Sequence, residues 1–241
     1  MDSRTVRTSL PLLADMLIGG LWLLLLISVL GSLFDPGFTF YPISIALSAG
    51  CVFFIYRHWP AHEDFGWANR VTLFRGLLVF SLFGLAPFLG PDSNGNLLWV
   101  FVSLSLIALL LDGVDGHVAR ATATESRFGA RFDMELDALF ILGLCVAVIS
   151  LDRAALWVLA LGLLRYGFVV AGMVWPALQA PLPESLRRKT VCVWQLVTLM
   201  VAILPITPAA LAQSSLILAL VLLVYSFGTD IRWLVKTRRS L

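Results

Sequence analysis

Charged side chains are scarce in this chain of 241 residues. Asp, Glu, Lys and Arg together make up 13%, about half of the ~25% usual in soluble domains. So few charges cannot clothe the surface of a water-soluble fold, which excludes that class. Neither sign dominates: fifteen acids and seventeen bases leave a formal charge of +2. The basic excess of a nucleic-acid binder is missing, so no nucleic-acid partner is expected. Cysteine is also rare. Cys51, Cys145 and Cys192 lie far apart in apolar runs, with no C-x-x-C pair. That excludes a disulfide framework and a structural zinc site, and leaves three small packing residues. There is no GxGxxG of the dinucleotide type, no P-loop, no HExxH and no internal repeat. His58 and His62 are four apart, but Pro60 between them spoils a helical ligand pair.

What the chain has in abundance is hydrocarbon. Hydrophobic residues make up 59%, which excludes disorder and leaves an integral membrane protein. Apolar runs fall at about 10–33, 40–56, 71–89, 97–111, 138–151, 154–175, 190–206 and 209–228. Each is near the ~20 residues a helix needs to cross ~30 Å of hydrocarbon. The run at 138–151 is short unless Asp133 and Asp137 belong to its first turns. Strands would leave backbone groups unpaired in lipid. The expected fold is therefore an all-α integral membrane protein with about eight transmembrane helices. Asp35-Pro36-Gly37, the polar stretch 91–96, Pro176, Pro181 and Pro183, and the pair Pro205 and Pro208 mark breaks between runs. Arg4 and Arg7 precede the first run as in a signal peptide. Its apolar stretch exceeds twenty residues and no small-x-small site closes it, so a retained helix is expected.

Threading eight spans puts fifteen of the seventeen basic residues on the side of the N-terminus. Arg153 stands alone opposite and Arg165 lies inside a span. Positive charge marks the cytoplasmic side, so both termini are expected there. The setting is a bacterial-type inner (cytoplasmic) membrane.

Most acids sit in loops or near helix ends, Asp15 among them. Four differ. Asp112 follows a long membrane-compatible stretch, Asp115 comes three later, and Asp133 and Asp137 are four apart at the start of the next span. Spacings of three and four put each pair on one helix face. Consecutive helices bring both pairs to the same cytoplasmic end, facing across one groove. One ionised Asp at a helix centre costs ~2.5–3.5 kcal/mol on insertion scales, so four need neutralising. Arg120 and Arg131 could offset two charges; two divalent cations would offset all four. Oxygen-only ligands suit Mg²⁺ or Mn²⁺, and a two-metal clamp is a common tool for displacement at phosphorus. Gly116, Ala119 and Gly129 are small enough for a ligand or backbone to approach closely. Arg120 has the planar fork that binds a phosphate oxygen. Together these residues suggest a nucleotide diphosphate ligand.

The run Asp112-x-x-Asp115-Gly116-x-x-Ala119-Arg120, eight residues, then Gly129-x-x-x-Asp133-x-x-x-Asp137 resembles the signature of the CDP-alcohol phosphatidyltransferases at all eight fixed positions. A looser likeness runs from about 69 to 230, where Asn69-x-x-Thr72-x-x-Arg75 looks like the opening of the family's first core helix. The resemblance implies two units: two N-terminal transmembrane helices with a cytoplasmic linker (1–68), and a six-helix catalytic core (69–241). It implies transfer of a phosphatidyl-type group from CDP-diacylglycerol or a similar CDP-alcohol to an acceptor hydroxyl, with loss of CMP. Asp112, Asp115, Asp133 and Asp137 would hold two divalent metals, and Asn69, Thr72, Gly116, Ala119, Arg120 and Gly129 would hold CDP. Asp137 would also act as general base, which stands in tension with metal binding. A homodimer is implied as well.

The acceptor is less defined. Arg165, mid-span, calls for a partner or ligand. Arg187, Arg188 and Lys189 either anchor the next helix at the interface or join Arg165 around an anionic acceptor. Arg165 and Lys189-Thr190 resemble the phosphatidylglycerophosphate synthase branch, as does the segment Ser226 to Asp230. Met134, Ala138, Tyr166 and the displaced Gln195 depart from it. Glycerol 3-phosphate is the first expectation; inositol phosphate, serine or another polar alcohol are alternatives. From another class, a cation-coupled transporter would also keep acids in its spans. Transporters place them near the midplane within repeated halves, and neither feature is found here.

Overall fold

Lipid leaves backbone groups no partner but one another, and the apolar runs answer with helices. A computed structural model describes residues 3–58, 66–122, 127–175, 178, 180, 182–183 and 185–239, with side chains for 14–55, 57, 69–113, 129–175, 178, 180, 182–183 and 185–236. Among the described residues there are eight α-helices and no strand: α1 (Ser3–Phe34), α2 (Phe40–His58), α3 (Gly66–Leu85), α4 (Gly95–Thr122), α5 (Arg127–Ser150), α6 (Ala160–Val174), α7 (Leu186–Ile203) and α8 (Ala209–Arg239). Short 3₁₀ turns at Ala86–Phe88 and Leu156–Leu159 extend α3 and lead into α6. Asp35 (φ 45°) and Gly37 (φ 77°) take left-handed backbone where α1 turns into α2. The fifth apolar run does extend backwards, because α5 starts at Arg127 and carries both Asp133 and Asp137 in its early turns. Asp15 is a correction. Because α1 begins at Ser3, Asp15 lies well inside the helix, where it pairs with Arg70 of α3 at 3.0 Å.

Five helical segments are long and apolar enough to cross a membrane: Ala14–Phe34, Asn69–Phe88, Gly95–Gly113, Leu156–Val174 and Ala209–Lys236. The apolar part of α2, Phe40–Ile55, is shorter. α5 and α7 carry the charges, with Asp133, Glu135 and Asp137 on one and Arg187, Arg188 and Lys189 on the other. Packing explains how α5 tolerates them. It sits against α3, α6 and α7, while α3 packs on α1, α2, α4 and α5, and α7 on α4, α5 and α8. Within the bundle 72% of the α3 span is buried, against 22–28% for the spans of α1, α4, α6 and α8. α3 and α5 thus form the interior, and the other spans meet lipid.

Helices in lipid gain nothing from hiding oil from oil, so close packing and polar contacts hold them. A Cβ at Gly143 of α5 would meet Phe83 Cβ at 3.1 Å and its Cα at 3.4 Å. A Cβ at Gly84 of α3 would overlap the Ser44 hydroxyl of α2. Buried Gln195 of α7 donates from Nε2 to the Leu161 carbonyl of α6 at 3.1 Å. At the end opposite the acids, Arg153 donates to the Thr207 carbonyl at 2.9 Å.

Candidate active site

Three helices converge at the acidic end. α3 contributes Asn69, Thr72 and Arg75, buried to 6%, 6% and 2% exposure. α4 contributes Asp112, and α5 contributes Asp133 and Asp137 one turn apart. One carboxylate oxygen from each of the three acids falls in a cluster no wider than 4.8 Å. Arg75 rises into it from the bundle interior. One terminal nitrogen donates to Asp112, and the other donates to Asp133 at 2.7 Å and Asp137 at 3.2 Å. The aspartates keep 32%, 38% and 26% of their side-chain surface exposed. The cluster is therefore sealed below by a guanidinium and open above.

The donor set fits a divalent cation. It consists of carboxylate oxygens alone, the preference of hard ions. Octahedral Mg²⁺ at ~2.1 Å places opposite ligands ~4.2 Å apart, close to the 4.8 Å limit of the cluster. Asp115 follows Asp112 by one turn on the helical backbone of α4, which continues through Gly116, Ala119 and Arg120. The side chains from 114 to 128 lie outside the described residues, so the expected roles of Asp115, Ala119 and Arg120 rest on spacing. Gly129 is half-buried at the start of α5.

The expected acceptor residues divide. Arg165 of α6 donates to Glu135 at 2.9 Å, and its buried Nε has no hydrogen-bond partner among the described residues. Arg187 is engaged by α8. Nη1 donates to the Ser226 carbonyl at 2.5 Å and hydroxyl at 2.6 Å, and Nη2 to Asp230 at 2.5 Å. Arg188 donates to the Pro183 carbonyl and lies 3.7 Å from Asp230. Lys189 is exposed. α7 packs on α4 and α5, and α6 on α5; Arg165 of α6 pairs with Glu135, which lies between Asp133 and Asp137 in the sequence.

Glu135 was not singled out by sequence reasoning. Arg75 was named only within the stretch Asn69-x-x-Thr72-x-x-Arg75 and among the residues that orient the chain, not as a partner of the acids. The available signal was its place two turns inside an apolar helix, the same signal that marked Arg165. Glu135 lay between two aspartates that drew the attention.

A family model described as CDP-alcohol phosphatidyltransferase matches residues 65–230. The chain belongs to the CDP-alcohol phosphatidyltransferase family. It is thus a phosphotransferase, and the family's reaction moves a phosphatidyl group from a CDP-alcohol to an acceptor. The family uses divalent metals, which agrees with a cluster able to hold one at Asp112, Asp133 and Asp137. Membership places the chain among enzymes rather than transporters. The match begins ahead of α3 and leaves α1 and α2 outside it. No individually curated protein and no solved structure matches the chain.

Proposed function

We propose that the protein transfers a phosphatidyl group from CDP-diacylglycerol to a small anionic alcohol, glycerol 3-phosphate first among candidates, and releases CMP. The observation that carries this reading is the convergence of Asp112, Asp133 and Asp137 from two helices at one open end of the bundle. In this reading Asp115 joins them, and the four carboxylates hold two Mg²⁺ or Mn²⁺ ions. Asn69, Thr72, Gly116, Ala119, Arg120 and Gly129 surround CDP. When bound, the ions supply positive charge for the diphosphate and for the charge that develops on departing CMP.

The acceptor hydroxyl attacks the phosphorus that carries diacylglycerol. A new P–O bond forms, the bridging P–O bond of the diphosphate breaks, and CMP leaves with its electron pair. Asp137 takes the hydroxyl proton, which requires a carboxylate within hydrogen-bond reach of the acceptor. Its exposure of 26% leaves that approach open. Arg165, Arg187, Arg188 and Lys189 are proposed to bind the acceptor's anionic group. The buried Nε of Arg165, without a partner among the described residues, supports this, because such an N–H favours a further acceptor.

The same proposal takes 69–241 as the catalytic core and 1–68 as two added helices with a linker. It places both termini and the site on the cytoplasmic side of a bacterial-type inner membrane, in a homodimer. Detergent-purified protein with labelled CDP-diacylglycerol provides the test. CMP release should need both an acceptor and Mg²⁺ or Mn²⁺, and should stop on chelation. Asp137→Asn should reduce it by at least ~100-fold, the lower range for a positioned acid–base group. Unchanged release in that variant would remove Asp137 from the chemistry. A panel of glycerol 3-phosphate, inositol phosphate and serine would identify the acceptor.

A further inference from the structure

We infer that Arg75 is the resident cation of the carboxylate cluster: it neutralises the acids while no divalent ion is bound, and yields that place when ions load. The inference rests on the metal-dependent reading above and deepens it. Arg75 is 2% exposed, so its charge has been brought into the bundle interior. A buried charge persists only with partners, and Asp112, Asp133 and Asp137 are among those of Arg75. The three acids are more open than the arginine and face the end of the bundle from which a solute would come.

Charge bookkeeping shows why the arrangement must change. Among these four groups, three carboxylates against one guanidinium leave two negative charges, which favour a divalent ion, with room for more when Asp115 is counted. Arginine cannot shed its proton. Once ions load, a fixed positive charge therefore faces new positive charge across the same oxygens. Two divalent ions balance four carboxylates by themselves, and the Arg75 charge becomes surplus. Its planar fork then suits an anionic oxygen, which the donor's diphosphate supplies. Metal binding thus comes first and prepares Arg75 to receive the nucleotide, so the two events are linked through one side chain.

Competition of this kind is measurable without turnover. If Arg75 holds the acids in about nine molecules of ten, only a tenth are ready for metal, and the apparent dissociation constant rises ~tenfold. Full-length protein in detergent, as wild type, Arg75→Met and Arg75→Lys, should be titrated with Mn²⁺ while free Mn²⁺ is followed by electron paramagnetic resonance. Thermal melts with and without Mn²⁺ and binding of CDP complete the set. Arg75→Met should bind Mn²⁺ about tenfold more tightly. It should melt lower than wild type without metal, and regain most of that loss with it. Under saturating Mn²⁺ it should bind CDP more weakly. Arg75→Lys keeps the charge and should stay near wild type in Mn²⁺ affinity. Unchanged or weaker Mn²⁺ binding in Arg75→Met, or a melting loss equal with and without Mn²⁺, would overturn the inference and leave Arg75 a packing residue. Should Arg75→Met fail to fold, Arg75→Gln carries the same measurement. Protein that shows the expected Mn²⁺ behaviour yet releases no CMP refutes the transferase reading alone.

Discussion

Replacing Arg187 by alanine should unlatch α8 from α7. The magnitude follows from what the guanidinium holds. It donates to the Ser226 carbonyl and hydroxyl at 2.5 and 2.6 Å and to Asp230 at 2.5 Å. Asp230 is 8% exposed, and without Arg187 the cation left beside it among the described residues is Arg188 at 3.7 Å, beyond good hydrogen-bond distance. Breaking a buried ion pair by removing one partner costs about 3–5 kcal/mol. The Arg187 side chain is 27% exposed and Arg188 can move closer, so the lower end, about 3 kcal/mol, applies. For a chain of this size each kcal/mol is worth roughly 2–4 °C, so the melting temperature should fall by roughly 6–12 °C. The eight tryptophans provide the fluorescence signal in detergent. The double variant Arg187→Ala with Asp230→Ala should melt higher than two independent losses would allow, because the second change removes the stranded carboxylate. A melting temperature that does not move, with only KM for the acceptor raised, would refute the latch and leave Arg187 wholly to the acceptor.

Other outcomes follow from other contacts. Arg165→Leu should raise KM for an anionic acceptor while leaving KM for CDP-diacylglycerol near wild type, measured by steady-state CMP release; an equal rise in both would remove Arg165 from acceptor binding. Gly143→Ala forces a methyl against Phe83 Cβ at 3.1 Å and its Cα at 3.4 Å, an overpacking worth about 1–3 kcal/mol, and its melting temperature should fall accordingly. Asp15→Ala removes the 3.0 Å pair between α1 and α3, a part-buried hydrogen bond worth about 1 kcal/mol. A small melting shift with CMP release retained is expected, and loss of release would tie α1 to catalysis.

The fold was legible because lipid leaves a chain few choices. Each apolar run became one helix, and the turn residues at Asp35-Pro36-Gly37 and Pro205 to Pro208 fell between helices as their chemistry required. Boundaries were less legible. Polar residues before the first and fifth runs extend α1 and α5 by several turns, since an interior or membrane-surface helix need not be apolar throughout. The aspartates of the site were legible because helical spacing fixes a shared face. The partners of the arginines were not. Arg75 meets acids 37 to 62 residues away, and Arg187 meets α8 39 to 43 residues away. Charge pairing at such separation depends on which helices become neighbours, and periodicity does not encode that. Gln195, out of register with the synthase branch, has a local explanation in its bond to Leu161.

The position of the acids along their helices has a consequence for how substrates arrive. α4 begins at Gly95 and reaches Asp112 seventeen residues later, about 26 Å at ~1.5 Å per residue. Measured back from Ser150 along α5, Asp133 is the same number of residues away and Asp137 one turn nearer. A hydrocarbon core is ~30 Å thick, so with Gly95 and Ser150 at one membrane surface the carboxylates would lie about a helical turn or two below the other. At that depth a lipid's diphosphate can enter sideways without leaving its leaflet. In the proposed reaction a water-soluble acceptor would enter from above without crossing oil, and the nucleotide would depart by the same opening. The proposed reaction would thus run at a level where both kinds of molecule are at home.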